Sequence, residues 1–174
     1  IERFMSSGVL QLKDKLGPIS WQFMPTKKFD PADFEAFLKL LPKSVEGHKI
    51  RHAVEGRHES FRGPEFVELA RKHGVAIVVA GDSEFPQIAD VTAPFVYARI
   101  MGTEEKEKLG YSKKALDTWA ACAKEWAAGK LPAGLDAVTK QKADGKSRDV
   151  FLYVISGHKV HNPAAAMALI ERVS

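Results

Sequence analysis

VAIVVAG, residues 75–81, is a run of six apolar residues closed by a glycine. A strand with one wet face alternates apolar and polar positions, and this one does not. A short continuous apolar run reads as a strand covered on both faces, the situation in a parallel sheet flanked by helices. Its surroundings agree. GPEFVELARKHG (63–74) carries Phe66, Leu69 and Ala70 at helical spacing and ends on Gly74. FVYARIMG (95–102) is the next strand, followed by a helix from Ser112 to about Ala128. Upstream, HAVEGR (52–57) and ISWQF (19–23) read as strands, and VFLYVIS (150–156) is the last. PADFEAFLKLLP (31–42) sets Phe34, Phe37, Leu38 and Leu41 on one helical stripe. Asp30 stands there as N-cap before a proline at the first helical position. PAAAMALIERV (163–173) is the closing helix, and IERFMSSGVLQLKDKLGP (1–18) predicts an opening one that Gly17-Pro18 stops. Five strands alternating with helices predict an α/β fold with a parallel sheet and right-handed crossovers.

The length of 174 residues suits one domain, here 1–174, and 45% apolar with 28% charged residues is ordinary globular composition. Cys122 is the single cysteine, so neither an intrachain disulfide nor a multi-cysteine zinc site can be built. Within TWAACAKEWA it reads as a small packing residue. No apolar run approaches the roughly 20 residues of a membrane span, and no secretory signal leads the chain, which predicts a cytoplasmic protein. Ile1, rather than Met, points to processing, proteolysis or a longer parent chain. The phosphate-binding patterns GxGxxG and GxxxxGK[ST] are absent.

The net charge is +4, and four of the basic residues, Lys140, Lys142, Lys146 and Arg148, fall in TKQKADGKSRD (139–149). The Gly, Asp and Ser among them predict a solvated loop. The competing reading is an anion patch that touches nucleic acid, whose affinity would fall steeply with salt.

Parity along the strands locates the candidate site. Side chains alternate between the two faces of a strand. Ile19, Trp21 and Phe23 share one face of the first strand, and Ser20, Gln22 and Met24 the other. His52 and Val54 oppose Ala53, Glu55 and Arg57. Val96, Ala98 and Ile100 oppose Tyr97, Arg99 and Met101. Asp82 has the parity of Ala76, Val78 and Ala80. Gln22, Glu55, Arg57, Asp82 and Arg99 are therefore expected to converge near the carboxyl ends of the strands, where parallel α/β proteins bind ligands.

Three readings follow. In the first, the site is enzymatic: Glu55 or Asp82 is the general acid or base, His58 assists, and Arg57 and Arg99 hold a small anionic substrate, phosphorylated or sugar-like. A variant adds a divalent metal on Glu55, His58 and Asp82, which are suitable ligand types but lack a diagnostic spacing and stand beside two arginines. In the second, the protein binds an anion, or nucleic acid through loop 140–148, without catalysis. In the third, Glu55 and its arginines form a structural ion-pair network.

HAVEGRHESF, AGDSEFP, VYARIMG and VFLYVIS, taken in this order with LGPISWQFMP before them, resemble the YecE-like family, domain of unknown function 72. The resemblance covers residues 9 to 173 or so. It implies a TIM barrel, of which these residues are similar to the last five of eight strand–helix units. Five strands cannot close such a barrel, which implies free edges that invite association. Carried over by position, the family's polar set falls on Gln22, Glu55, Arg57, His58, Asp82, Ser83 and Arg99. The exit of the last strand departs from the family pattern, with Ser156, His158, His161 and Asn162 in SGHKVHNP. The resemblance implies a pocket and no established activity.

Overall fold

The computed structural model describes residues 1–174. Its centre is a five-stranded sheet in which every pairing is parallel: β1 (Ile19–Gln22), β4 (His52–Glu55), β5 (Ala76–Gly81), β6 (Phe95–Ile100) and β7 (Asp149–Val154), in that spatial order. Helix α2 (Pro31–Lys39) and the hairpin β2 (Ser44–Val45) and β3 (His48–Lys49) lie between β1 and β4. Helix α3 (Pro64–His73) joins β4 to β5, α4 (Lys113–Ala127) joins β6 to β7, and α5 (Asn162–Val173) follows β7. Strands adjacent in the sheet are thus consecutive along the chain, the hairpin aside.

Local sequence accounts for most boundaries. Asp30 caps α2 by accepting from the Asp33 amide at 2.9 Å, a contact worth about 1 kcal/mol. Gly74 ends α3 in the left-handed conformation, and Ser112 caps α4 through the Ala115 amide. The hairpin was not anticipated. It turns through Glu46 and Gly47, both at positive φ, the backbone signature of a tight two-residue turn. The opening helix is a correction. Residues 2–5 form α1 and residues 9–15 a separate 3₁₀ stretch, broken by Gly8 at φ 99° and again by Lys13 at φ 51°. Ser6, Ser7 and Gly8 are weak helix formers, and Phe4 and Leu12 remain exposed, so packing does not hold the segment in one helix.

The sheet has two distinct faces. On the helix face, Phe34, Phe61 and Phe66 join Val54, Val67 and Ile77 in one cluster, with Phe23, Phe29 and Phe37 against it. Ring centroids there lie 5.0–6.5 Å apart, mostly edge to face. A second cluster packs α4 and α5 on β6 through Trp119, Trp126, Leu116, Leu169, Ala98 and Ile100. Cys122 belongs to it, and burial pushes its thiol up.

The other face is narrow and strongly rolled. Arg51, just before β4, donates to Asp149 at the start of β7 at 2.7 Å, across two intervening strands. Three strand spacings in a flat sheet would separate them by about 14 Å. Gly17, just before edge strand β1, lies so near the opposite edge that a Cβ on it would sit 3.8 Å from the Tyr153 hydroxyl of β7. This inner face is lined by the small residues Ala53, Ala76 and Val78 and by Phe95, Tyr97 and Phe151. The sheet does not close: β1 and β7 each pair on one side only.

Candidate functional site

Glu55 is the polar residue around which the inner face is organised. It is 1% exposed, and both carboxylate oxygens are engaged. Arg57 Nε donates to Oε1 at 2.6 Å. Oε2 accepts from Gln22 Nε2 at 3.1 Å and from Arg99 Nη1.

The fold explains why these four meet. Gln22 and Glu55 are register partners across β1 and β4. Arg99 on β6 is two strands from Glu55, and its neighbour on the strand between is Ala80. A methyl group at position 80 lets the guanidinium pass over β5. Arg57 follows Gly56, where a Cβ would come within 2.4 Å of the Phe61 ring, so only glycine lets the chain hug the phenylalanine cluster there. The Arg57 guanidinium then rests on the Phe85 ring at 4.4 Å.

The electrostatics are unbalanced. One buried carboxylate faces two guanidiniums, which leaves one positive charge. The remaining guanidinium nitrogens of Arg57 and Arg99 make no hydrogen bond within the chain, and both side chains are partly exposed. Below them, Tyr97 and Tyr153 lie with ring centroids 5.1 Å apart. Burial pushes the Tyr97 hydroxyl up, Tyr153 adds to this, and Arg99 opposes it. Ser20 Oγ is buried beside the Tyr97 hydroxyl.

Asp82 requires a correction. Strand parity predicts it on the face of Glu55. Instead its backbone turns to φ 52°, and its Oδ2 accepts from the indole Nε1 of Trp119, on α4, at 2.7 Å. The strand ends at Gly81, so parity no longer applies one residue later. Asp82 stands exposed at the rim, between the ends of β5 and β6. Tyr111 lies beside it: the Tyr111 hydroxyl accepts from the Gly102 amide at 2.7 Å, and burial and then the Asp82 carboxylate push its ionisation up.

His58 and Ser83 are turn formers. His58 Nδ1 accepts from the Ser60 amide at 3.1 Å and caps the 3₁₀ turn Glu59–Phe61. Ser83 Oγ accepts from the Phe85 amide and donates to the Ala80 carbonyl, both at 3.2 Å. Glu55, His58 and Asp82 do not assemble as a metal set, since each is held by a different partner. No three His, Cys, Asp or Glu side chains cluster as an ion would require.

Other polar groups are local. Asp90, buried, caps loop 138–139 through the Val138 and Thr139 amides. In the basic loop, Arg148 is tied to Asp144, while Lys140, Lys142 and Lys146 are exposed. At the exit of β7, Asn162 Oδ1 accepts from Thr103 Oγ1 at 2.7 Å, and the His158 and His161 rings stack with centroids 4.5 Å apart. A groove of about 500 Å³ between α4, β7 and α5 is apolar and lies on the helix side, away from the Glu55 cluster. It has no set of converging polar groups.

Trp119, Tyr111 and Tyr97 are not among the site residues that strand parity brings together. The first two sit in or next to a helix whose aromatic residues read as core, and only the turn at Asp82 gives Trp119 a polar partner.

Fold and site together define an α/β protein with a rolled, all-parallel sheet and a basic polar cluster at the carboxyl ends of its strands. More particularly, the chain belongs to the family described as protein of unknown function DUF72, whose sequence model matches residues 1–174. Solved structures of the family share the fold. A DUF72 protein of Thermotoga maritima superposes with a TM-score of 0.64 at 19% identity, covering 98% of this chain and 62% of that one. Two structures of a DUF72 protein of Enterococcus faecalis give 0.63 at 14% identity and 0.69 at 12%. They cover 97% and 99% of this chain and 65% and 64% of theirs. The chain thus spans less than two thirds of the length of each. No curated protein matches it. No helix is long and apolar enough to cross a membrane.

Proposed function

We propose that the inner face forms a binding site for a small anionic metabolite, phosphorylated or sugar-like, with Arg57 and Arg99 as the anion receptors. The observation that carries this reading is the single buried carboxylate shared by two guanidiniums. Glu55 fixes both forks in place and leaves one positive charge and a set of unused N–H donors on partly exposed side chains. Guanidinium donors match phosphate and carboxylate oxygens bidentately, and a preorganised pair loses little entropy on binding.

In this reading the sheet is the C-terminal arc of an eight-stranded barrel. The neighbour-to-neighbour parallel order, the rolled inner face and the larger size of the relatives support that. Glu55 is an anchor. Buried and with both oxygens hydrogen-bonded to cationic or amide donors, it turns no oxygen to solvent, so binding, rather than acid–base chemistry at Glu55, is the role the geometry favours.

The test is titration with inorganic phosphate, followed by NMR of the arginine side-chain N–H groups. Saturable shifts of Arg57 and Arg99 are expected, with affinity lowered about tenfold or more in Arg57→Gln. Shifts that fail to saturate, or that spread over the exposed lysines of loop 140–148 instead, would overturn the assignment and favour a diffuse nucleic-acid surface.

A further inference from the structure

The rim above this site holds a second group with the marks of a recognition element. Asp82 is an exposed carboxylate, yet it is not free to wander. Its backbone sits in the left-handed region at φ 52°, a conformation that Asp tolerates better than most residues but that still requires support. One oxygen is held by the indole N–H of Trp119, which is itself 5% exposed. Tyr111 stands against the same carboxylate as a second hydrogen-bond partner, and the exposed Asp82 oxygens keep further acceptor capacity toward solvent.

The pocket around this carboxylate is built to fix it. A Cβ on Gly81 would come within 2.4 Å of the Trp119 ring, and a Cβ on Gly102 within 2.7 Å of the Asp82 Cβ. Two glycines therefore open the space that lets the indole approach the strand end and the carboxylate turn toward it. Tyr111, buried beside Gly102, closes the far side. Asp82 stands two residues beyond Ala80, the register partner of Arg99, and the turn after it carries Phe85 under the Arg57 guanidinium, so the carboxylate and the anion receptors are neighbours along the strand ends.

A fixed carboxylate repels a simple anion and attracts a hydroxyl. We propose that Asp82 is the specificity-determining acceptor for a ligand hydroxyl, and that Trp119 and Tyr111 are its positioning residues. The ligand is then an oxyanion that carries a hydroxyl a few bonds away, the pattern of a sugar phosphate or a polyol phosphate. Arg57 and Arg99 take the oxyanion, and the Asp82 carboxylate accepts from the hydroxyl. This inference rests on the anion-binding reading above.

Two probes of equal charge and carbon number separate the claims: glycerol phosphate, with two hydroxyls, and n-propyl phosphate, with none. Calorimetry on the folded protein should find glycerol phosphate bound about tenfold more tightly, the increment of a hydrogen bond to a charged acceptor. Asp82→Asn, which keeps the side-chain shape and tolerates positive φ, should bring the ratio close to one, with n-propyl phosphate affinity kept or raised as the repelling charge goes. Trp119→Phe keeps an aromatic ring in the cluster but loses the N–H together with part of the indole volume. It should reduce the same ratio about threefold or more, which a purely structural tryptophan would not do. An equal affinity for both probes in the unmodified protein, or a preference that survives Asp82→Asn, overturns the role of Asp82 and leaves the anion site standing. Failure of both probes to bind overturns the anion site itself, and this inference with it.

Discussion

Arg51 and Asp149 meet at 2.7 Å although two strands separate the segments that carry them. The Arg51 guanidinium also covers the Phe151 ring at 4.6 Å and the Phe95 ring at 5.7 Å. The pair therefore closes the amino end of the inner face, opposite the Glu55 cluster. The two halves of this contact should differ in strength. Asp149 is mostly exposed, so Asp149→Asn is expected to cost less than about 1 kcal/mol. Arg51→Ala also loses the stacking on two rings and should cost about 1–2 kcal/mol. Urea unfolding of both variants checks the order, and equal losses would show that the aromatic contacts contribute nothing.

Glu55 is the most consequential side chain for stability. Glu55→Gln removes the negative charge that two partly buried guanidiniums share, and should lower unfolding free energy by about 3–5 kcal/mol. Replacing Glu55 together with Arg99 by apolar residues of similar volume should recover part of that loss, because only the partly exposed Arg57 is then left without its partner. Denaturant melts of the single and double variants measure the difference, and a double variant as unstable as the single one would refute the account.

His52 supplies the pH dependence. Its Nδ1 lies 3.1 Å from the Trp21 indole Nε1, and its Nε2 lies 2.8 Å from the Pro42 carbonyl oxygen. That pattern suits the neutral ring, with Nε2–H donating and Nδ1 accepting. Burial pushes its pKa below the ordinary 6.5. The unfolded chain then binds a proton before the folded one does. Stability from this group is complete above pH 6.5 and declines as pH falls from there toward the lowered folded value, at up to about 1.4 kcal/mol per pH unit. Unfolding at pH 7.5 and 5.5, roughly either side of that point, should show the decline in the unmodified protein and a flatter profile in His52→Gln.

Gly81 couples packing to the rim. A methyl group there meets the Trp119 ring at 2.4 Å, so Gly81→Ala should cost about 1–3 kcal/mol through overpacking. It should also displace the indole from Asp82 and shift tryptophan emission. Emission unchanged with full loss of stability would mean that the backbone, rather than the indole, gives way.

How far the chain was legible depends on the residues concerned. Strands β4 and β6 are legible because their apolar and polar positions follow the period of two that the pleat imposes, and β5 because it is continuously apolar; Gln22, Glu55 and Arg99 follow that period, whereas Arg57 lies two residues past β4. Asp82 was misplaced because the same rule fails one residue past the strand, where φ changes sign. The opening segment was misread because Phe4, Val9, Leu12 and Leu16 have helical spacing while Ser6, Ser7 and Gly8 between them do not sustain a helix. The Asp82–Trp119 contact spans 37 residues and depends on two glycines whose value lies in the space they leave, a property that no periodicity reports.

The strand order has a consequence for how the protein is made. Each strand of the sheet bonds only to those that come just before and after it in the sheet's own sequence of strands. A chain emerging from the ribosome can therefore lay down its sheet in the order of synthesis, with β4 finding β1 already present, β5 finding β4, and so on to β7. Within this sheet each strand pairs with the one made just before it, even where the connection is long, as over residues 101–148 between β6 and β7. The expected assembly is vectorial, and a slow codon run between two strand–helix units should be better tolerated than one inside a unit.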